Sequence, residues 1–113
     1  MRLVLLAALV AVLAVPAADA GTAKLVATVG PGFTITLTQG GKKVGSLKPG
    51  TYTITVADKS NIHNFHLTGP GVNKKTSVGF KGTQTWKVTF KKGTYKYVCD
   101  PHASFMKGSF KVT

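Results

Sequence analysis

The chain has 113 residues, with 15 basic against 3 acidic side chains, a formal net charge of +12 at pH 7 and a single cysteine. One cysteine excludes an internal disulfide, and a chain of this length builds one hydrophobic core rather than two. The lysines are scattered as singles and doublets and no nucleic-acid-binding motif accompanies them, which excludes nucleic acid as a partner despite the charge.

In chain order, Met1-Arg2 gives a positive start, Leu3 to Val15 is apolar, and Ala18-Asp19-Ala20 has the small-x-small form of a processing site. This pattern predicts a signal peptide over residues 1–20 and a mature, exported domain over residues 21–113. The apolar run falls short of the roughly 20 residues a spanning helix needs, and no later stretch is apolar enough to cross a bilayer. The expected location is therefore periplasmic or secreted, as a soluble monomer.

After the leader the reading is all-β. Leu25–Val29, Phe33–Thr38, Tyr52–Val56, Ile62–Thr68, Trp86–Phe90, Thr94–Cys99 and Ser109–Val112 are rich in Thr, Val, Ile and aromatic residues, and several alternate with a period of two. Gly30-Pro31-Gly32, Gly40-Gly41, Pro49-Gly50, Gly69-Pro70-Gly71 and Lys91-Lys92-Gly93 punctuate them as turns. Seven or eight short strands joined this way are expected to close as a two-sheet Greek-key β-sandwich.

The segment from Tyr97 to Gly108 carries the chemistry. Cys99, His102 and Met106 place a thiolate, an imidazole and a thioether on one short loop, and no other sulfur-bearing residue follows the leader. A soft thiolate, nitrogen donors and a weak axial thioether together suit copper, in the arrangement of a blue-copper electron-transfer site. A lone cysteine without such neighbours reads as an inert buried thiol or an intermolecular bridge; here the neighbours favour a metal ligand. The fourth donor must come from His63 or His66. On a strand over 62–68, His63 shares a face with Phe65 and Leu67, the natural core residues, while His66 lies on the opposite face with Asn64 and Thr68. Parity likewise turns Cys99 inward with Tyr95 and Tyr97, so His63 is the preferred partner.

His63-Asn64 on an alternating stretch, followed by Tyr95-x-Tyr97-x-Cys99-x-Pro101-His102-x-x-x-Met106-x-Gly108, resembles the copper site of the cupredoxins, of the plastocyanin, pseudoazurin and amicyanin type. The resemblance covers nearly all of residues 21–113. It implies one type 1 copper ion, with His63, Cys99 and His102 as equatorial ligands and Met106 as the long axial ligand. It also implies that Asn64 ties the first histidine's strand to the cysteine loop by hydrogen bonds. Two features depart from the family. Three residues separate His102 from Met106, where amicyanin has two and plastocyanin or pseudoazurin has four. Asp100 stands where many relatives carry Ser or Thr, and either lowers the copper potential or serves as a loop cap or salt bridge.

The function implied is single-electron transfer between redox partners by Cu(I)/Cu(II) cycling. A copper carrier or buffer that never cycles its ion would use the same ligands. A metal-free structural sandwich would leave the loop residues as coincidence, and an enzyme reading ranks last because no acid orients the histidines toward a nucleophile. Doublets such as Lys42-Lys43, Lys74-Lys75 and Lys91-Lys92 have two readings. They form a solvated loop surface, or they steer the protein toward an acidic redox partner or the anionic cell envelope.

Overall fold

The computed structural model describes residues 22–113, so the expected leader lies outside the described residues. Ten strands follow in order: β1 (Ala23–Val29), β2 (Ile35–Gln39), β3 (Lys42–Lys43), β4 (Ser46–Leu47), β5 (Gly50–Asp58), β6 (His66–Gly69), β7 (Val72–Lys75), β8 (Gly82–Phe90), β9 (Gly93–Val98) and β10 (Lys107–Val112). They make two five-stranded sheets, ordered β3-β2-β1-β5-β8 and β4-β10-β9-β6-β7. Within the sheets β1 pairs β5 in parallel and β10 pairs β4 in parallel, and every other pairing is antiparallel. Among the described residues no helix is long and apolar enough to cross a membrane.

The alternation seen in the sequence is the division between the inside of the sandwich and its surface. Tyr52, Ile54 and Val56 of β5 and Trp86, Val88 and Phe90 of β8 are buried, as are Tyr95 and Tyr97 of β9. Threonines and lysines occupy the outward positions between them. The core is aromatic in the second sheet: Tyr97 stacks on Phe65 at 5.3 Å, Tyr95 stacks on Phe110 at 5.5 Å, and Phe90 meets Tyr95 edge-on at 4.8 Å. Each such pair adds about 0.5–1.5 kcal/mol beyond its buried area. The Tyr95 hydroxyl anchors the base of the sandwich, accepting from Lys91 N at 3.1 Å and lying 3.0 Å from Pro70 O.

Two expectations need correction. The strand count is ten rather than seven or eight. Lys42–Lys43 and Ser46–Leu47 are two-residue ladders too short to show a period, and Val72–Lys75 returns from β6 across Gly69-Pro70-Gly71 with mostly polar residues. The strand expected over Ile62–Thr68 begins only at His66. Ahead of it, side chains replace the ladder: Phe65 N donates to Thr76 Oγ1 at 3.0 Å, and Asn64 bonds across to the cysteine loop. That segment is a loop locked from the side, and it leaves His63, Asn64 and Phe65 all buried.

Candidate metal centre

Three loops meet at one end of the sandwich: residues 30–34 between β1 and β2, 59–65 between β5 and β6, and 99–106 between β9 and β10. The last is a self-closing turn. His102 N donates to Cys99 O, Phe105 N and Met106 N both donate to His102 O, and Cys99 N donates to Met106 O, at 2.9–3.1 Å. Asp100–His102 form one 3₁₀ turn with Pro101 inside it, where its fixed φ suits the geometry and its missing N–H is no loss.

This turn aims Cys99 and His102 at the same point that His63 reaches from the neighbouring loop. Cys99 Sγ lies 3.6 Å from His63 Nδ1 and 3.5 Å from His102 Nδ1, and the two Nδ1 atoms are 3.1 Å apart. All three donor atoms fall within 4.8 Å of one another. His63 and Cys99 are both 0% exposed, and Met106 is buried at the far end of the same loop. His63 Nε2 is buried without a hydrogen-bond partner, so the ring is held by packing and by what its Nδ1 faces. The donor set fits a soft cation: one thiol and two imidazole nitrogens lie close together, and the turn that carries two of them ends at the buried Met106.

A hydrogen-bonded chain fixes the loops that carry His63 and Cys99 to each other. Asn64 accepts from Asp100 N at 2.7 Å and donates to Asp100 Oδ2 at 2.8 Å and Thr76 O at 3.1 Å. The Thr76 hydroxyl donates to Asp58 Oδ2 at 3.1 Å, and Asp58 Oδ1 accepts from Ser60 N at 3.2 Å. Burial pushes the Asp58 carboxyl above its ordinary range, against the lowering effect of Ser60 N–H, the Thr76 hydroxyl and His63. Asp100 moves the other way. Its partial burial works to raise it, but hydrogen bonds from His66 and Asn64 and the charges of His66 and Lys75 together hold it below the usual carboxylate value.

Of the residues singled out in the sequence, His63, Cys99 and His102 are together, Met106 is buried at the end of the turn that carries Cys99 and His102, and Asn64 and Asp100 join this turn to the loop bearing His63. His66 points away from the cluster, with Nδ1 2.9 Å from Asp100 Oδ1 and Nε2 2.7 Å from Asn73 Oδ1. The sequence reading missed Thr76, Asp58 and Asn73, whose parts depend on strand returns too short to see, and it missed Phe33. That ring follows Gly30-Pro31-Gly32 and lies 5.1 Å from the ring centroids of both His63 and His102.

The family model for copper binding proteins, plastocyanin/azurin family, matches residues 41–113. Reduced rusticyanin superposes with a TM-score of 0.59 at 25% identity, covering 82% of this chain and 80% of that one. Rusticyanin from Thiobacillus ferrooxidans gives 0.56 at 29% identity over 82% and 78% of the two chains. A solution structure of reduced rusticyanin gives 0.58 at 26% identity over 82% and 77%. No curated protein matches.

Proposed function

The chain belongs to the plastocyanin/azurin family of copper-binding proteins, and we propose that it shuttles single electrons between exported redox proteins, with His63, Cys99, His102 and Met106 holding the ion. It is a cupredoxin with one type 1 copper site and, like the family generally, an electron carrier. The observation that carries the ligand assignment is the convergence of Cys99 Sγ with two imidazole Nδ1 atoms inside 4.8 Å.

Copper, when bound, supplies the one-electron couple. The protein's part is to hold the donors still and dry. His63 and Cys99 are fully buried, and the Asn64–Asp100 bonds fix the spacing of their loops, so little rearrangement separates the two oxidation states. His102 is half-buried and provides the partner-facing edge, and the exposed side chains of Phe33, Ile62 and Phe105 form an apolar rim around this end for brief docking. Residues 1–20 serve as a cleaved export signal, which places the carrier in the periplasm or outside the cell. The excess of lysine favours a partner with an acidic docking surface, and the same charge supports association with an anionic envelope; the protein acts as a monomer.

The test is the absorption and electron-spin spectrum of the Cu(II)-loaded protein. We expect an intense blue or green thiolate band and a reversible one-electron potential. Cys99→Ser and His63→Ala should each abolish the band, and His66→Ala should keep it. A colourless Cu(II) complex, or binding of Cu(I) alone, would point instead to a carrier that does not cycle. A band lost in His66→Ala but kept in His63→Ala overturns the ligand set.

A further inference from the structure

We propose that Phe33 closes this centre: its ring positions both imidazoles and keeps water and outside ligands away from their donor atoms. The proposal rests on the copper reading above and adds to it a residue that no ligand pattern contains.

Phe33 is 59% exposed, and a lone exposed aromatic ring would mean little. What sets it apart is that it bridges both imidazoles from a third loop. It meets His63 edge-on at 5.1 Å and 68°, meets His102 edge-on at 5.1 Å and 90°, and lies 5.9 Å from Phe105. Phe105, itself 58% exposed, lies 5.7 Å from His102. The two imidazoles stand 4.9 Å apart at 73°. Phe33 and His102 are thus the two rings in contact with all three others, and Phe33 bridges two histidines that sit 39 positions apart in sequence. Rotating either imidazole about its side-chain bonds would cost it the contact with this shared neighbour.

The loop that delivers Phe33 is built against the centre. Gly30 N donates to Thr34 O at 2.9 Å, which folds residues 30–34 into a closed bend, and Lys59 N donates to Val29 O at 2.9 Å, which ties the bend to the loop bearing His63. Gly30 has φ +73°, and a Cβ there would come within 2.9 Å of Ser60 Cβ and 3.3 Å of His63 Cδ2. The backbone at Gly30 therefore lies directly on the His63 ring, and Phe33 extends the same wall over His102. Together these explain how His63 reaches zero exposure at the end of a sandwich, where a side chain would otherwise meet solvent.

The experiment compares Phe33→Ala, Phe33→Leu and Phe33→Tyr with the parent. In the copper-free protein, the imidazole C–H resonances of both His63 and His102 should shift in the Ala and Leu variants, as the ring current of Phe33 is lost, and Tyr should restore them. In the Cu(II)-loaded protein, transfer of copper to a chelator such as EDTA should be about tenfold faster for Ala, the size expected when a residue supporting a ligand is removed, and near the parent rate for Tyr. Added azide should perturb the spectrum of the Ala variant and leave the parent unchanged. Resonances that stay put, or move for one histidine only, overturn the proposal, as does an unchanged rate of copper loss. If Phe33→Ala fails to fold, Phe33→Leu decides on the same readouts. A parent protein that forms no thiolate–copper band sinks the electron-carrier reading, whereas unmoved imidazole resonances in the copper-free variants sink the role of Phe33 alone.

Discussion

Asp100 is the one acidic side chain with appreciable exposure among the described residues, 41% for its side chain, and it sits between two residues proposed to bind copper. Its carboxylate meets His66 and Asn64 while its main-chain N–H is capped by the Asn64 amide, so it acts as the pin that holds the 99–106 turn to the loop before β6. The loop-capping and salt-bridge reading of this residue therefore has geometry behind it. Because the folded protein holds Asp100 below the usual carboxylate value, its contribution is fully present above that value and disappears as pH falls through the lowered one. Asp58, raised by burial, works in the opposite sense: its contribution is greatest when protonated and is lost as pH rises through its raised value. Asp100→Asn should lose up to about 1 kcal/mol at pH 6, in keeping with a partly exposed ion pair. The gap between parent and variant should shrink as pH drops below about 4. Urea unfolding of the copper-free proteins at a series of pH values measures it; a gap that grows in acid would contradict the assignment.

Among the elements, the β9–β10 hairpin does most to place the centre, since it carries the turn from Cys99 to Met106 at its tip. Its register pairs Gly108 with Tyr97, and the Tyr97 ring lies so close over Gly108 that a Cβ there would overlap it. Tyr97 is in turn stacked on Phe65, two residues from His63. Gly108→Ala should force this ring aside and destabilise the fold by about 1–3 kcal/mol, the usual range for overpacking, read as a lower urea midpoint. A variant as stable as the parent would mean that the ring moves freely. Strands such as β5, β8 and β9 were legible in the sequence because each buries one face and wets the other. The loop before β6 was not, because its Phe65 N–H is satisfied by the Thr76 hydroxyl and its Asn64 side chain is held by Thr76 O and Asp100, partners that only the folded sheet brings within reach. Parity favoured His63 over His66 on the premise of a strand that is absent there. His63 is turned inward instead by the wall of Gly30 and Phe33. Phe33 itself reads as a strand residue in sequence, since nothing local reveals that its loop folds back over the histidines.

At the scale of the whole molecule, charge is the dominant surface property. The net charge is +12, Asp58 is buried, and Asp100 is engaged by His66 and Asn64, so the lysines have almost no intramolecular counter-charge. Electron exchange with small redox complexes should reveal this directly. Oxidation of the reduced protein by anionic hexacyanoferrate(III) should slow as salt rises. Exchange with cationic hexaammineruthenium should quicken, because screening shortens the Debye length from about 30 Å at 0.01 M to about 10 Å at 0.1 M. Equal salt dependence for the two would mean that the lysines lie too far from the site of transfer to matter.

His63 lies on the loop that crosses from β5 of one sheet to β6 of the other, and Cys99 directly follows β9 of that second sheet, 36 positions later. The second sheet carries the turn from Cys99 to Met106, the first supplies the wall of Gly30 and Phe33, and the centre lies along the seam where they meet. An ion seated there would act as a rivet through two plates, favouring the assembled state over every open one. A chain opened at that seam scatters the donors, so the ion adds its binding energy to a fold that already stands without it.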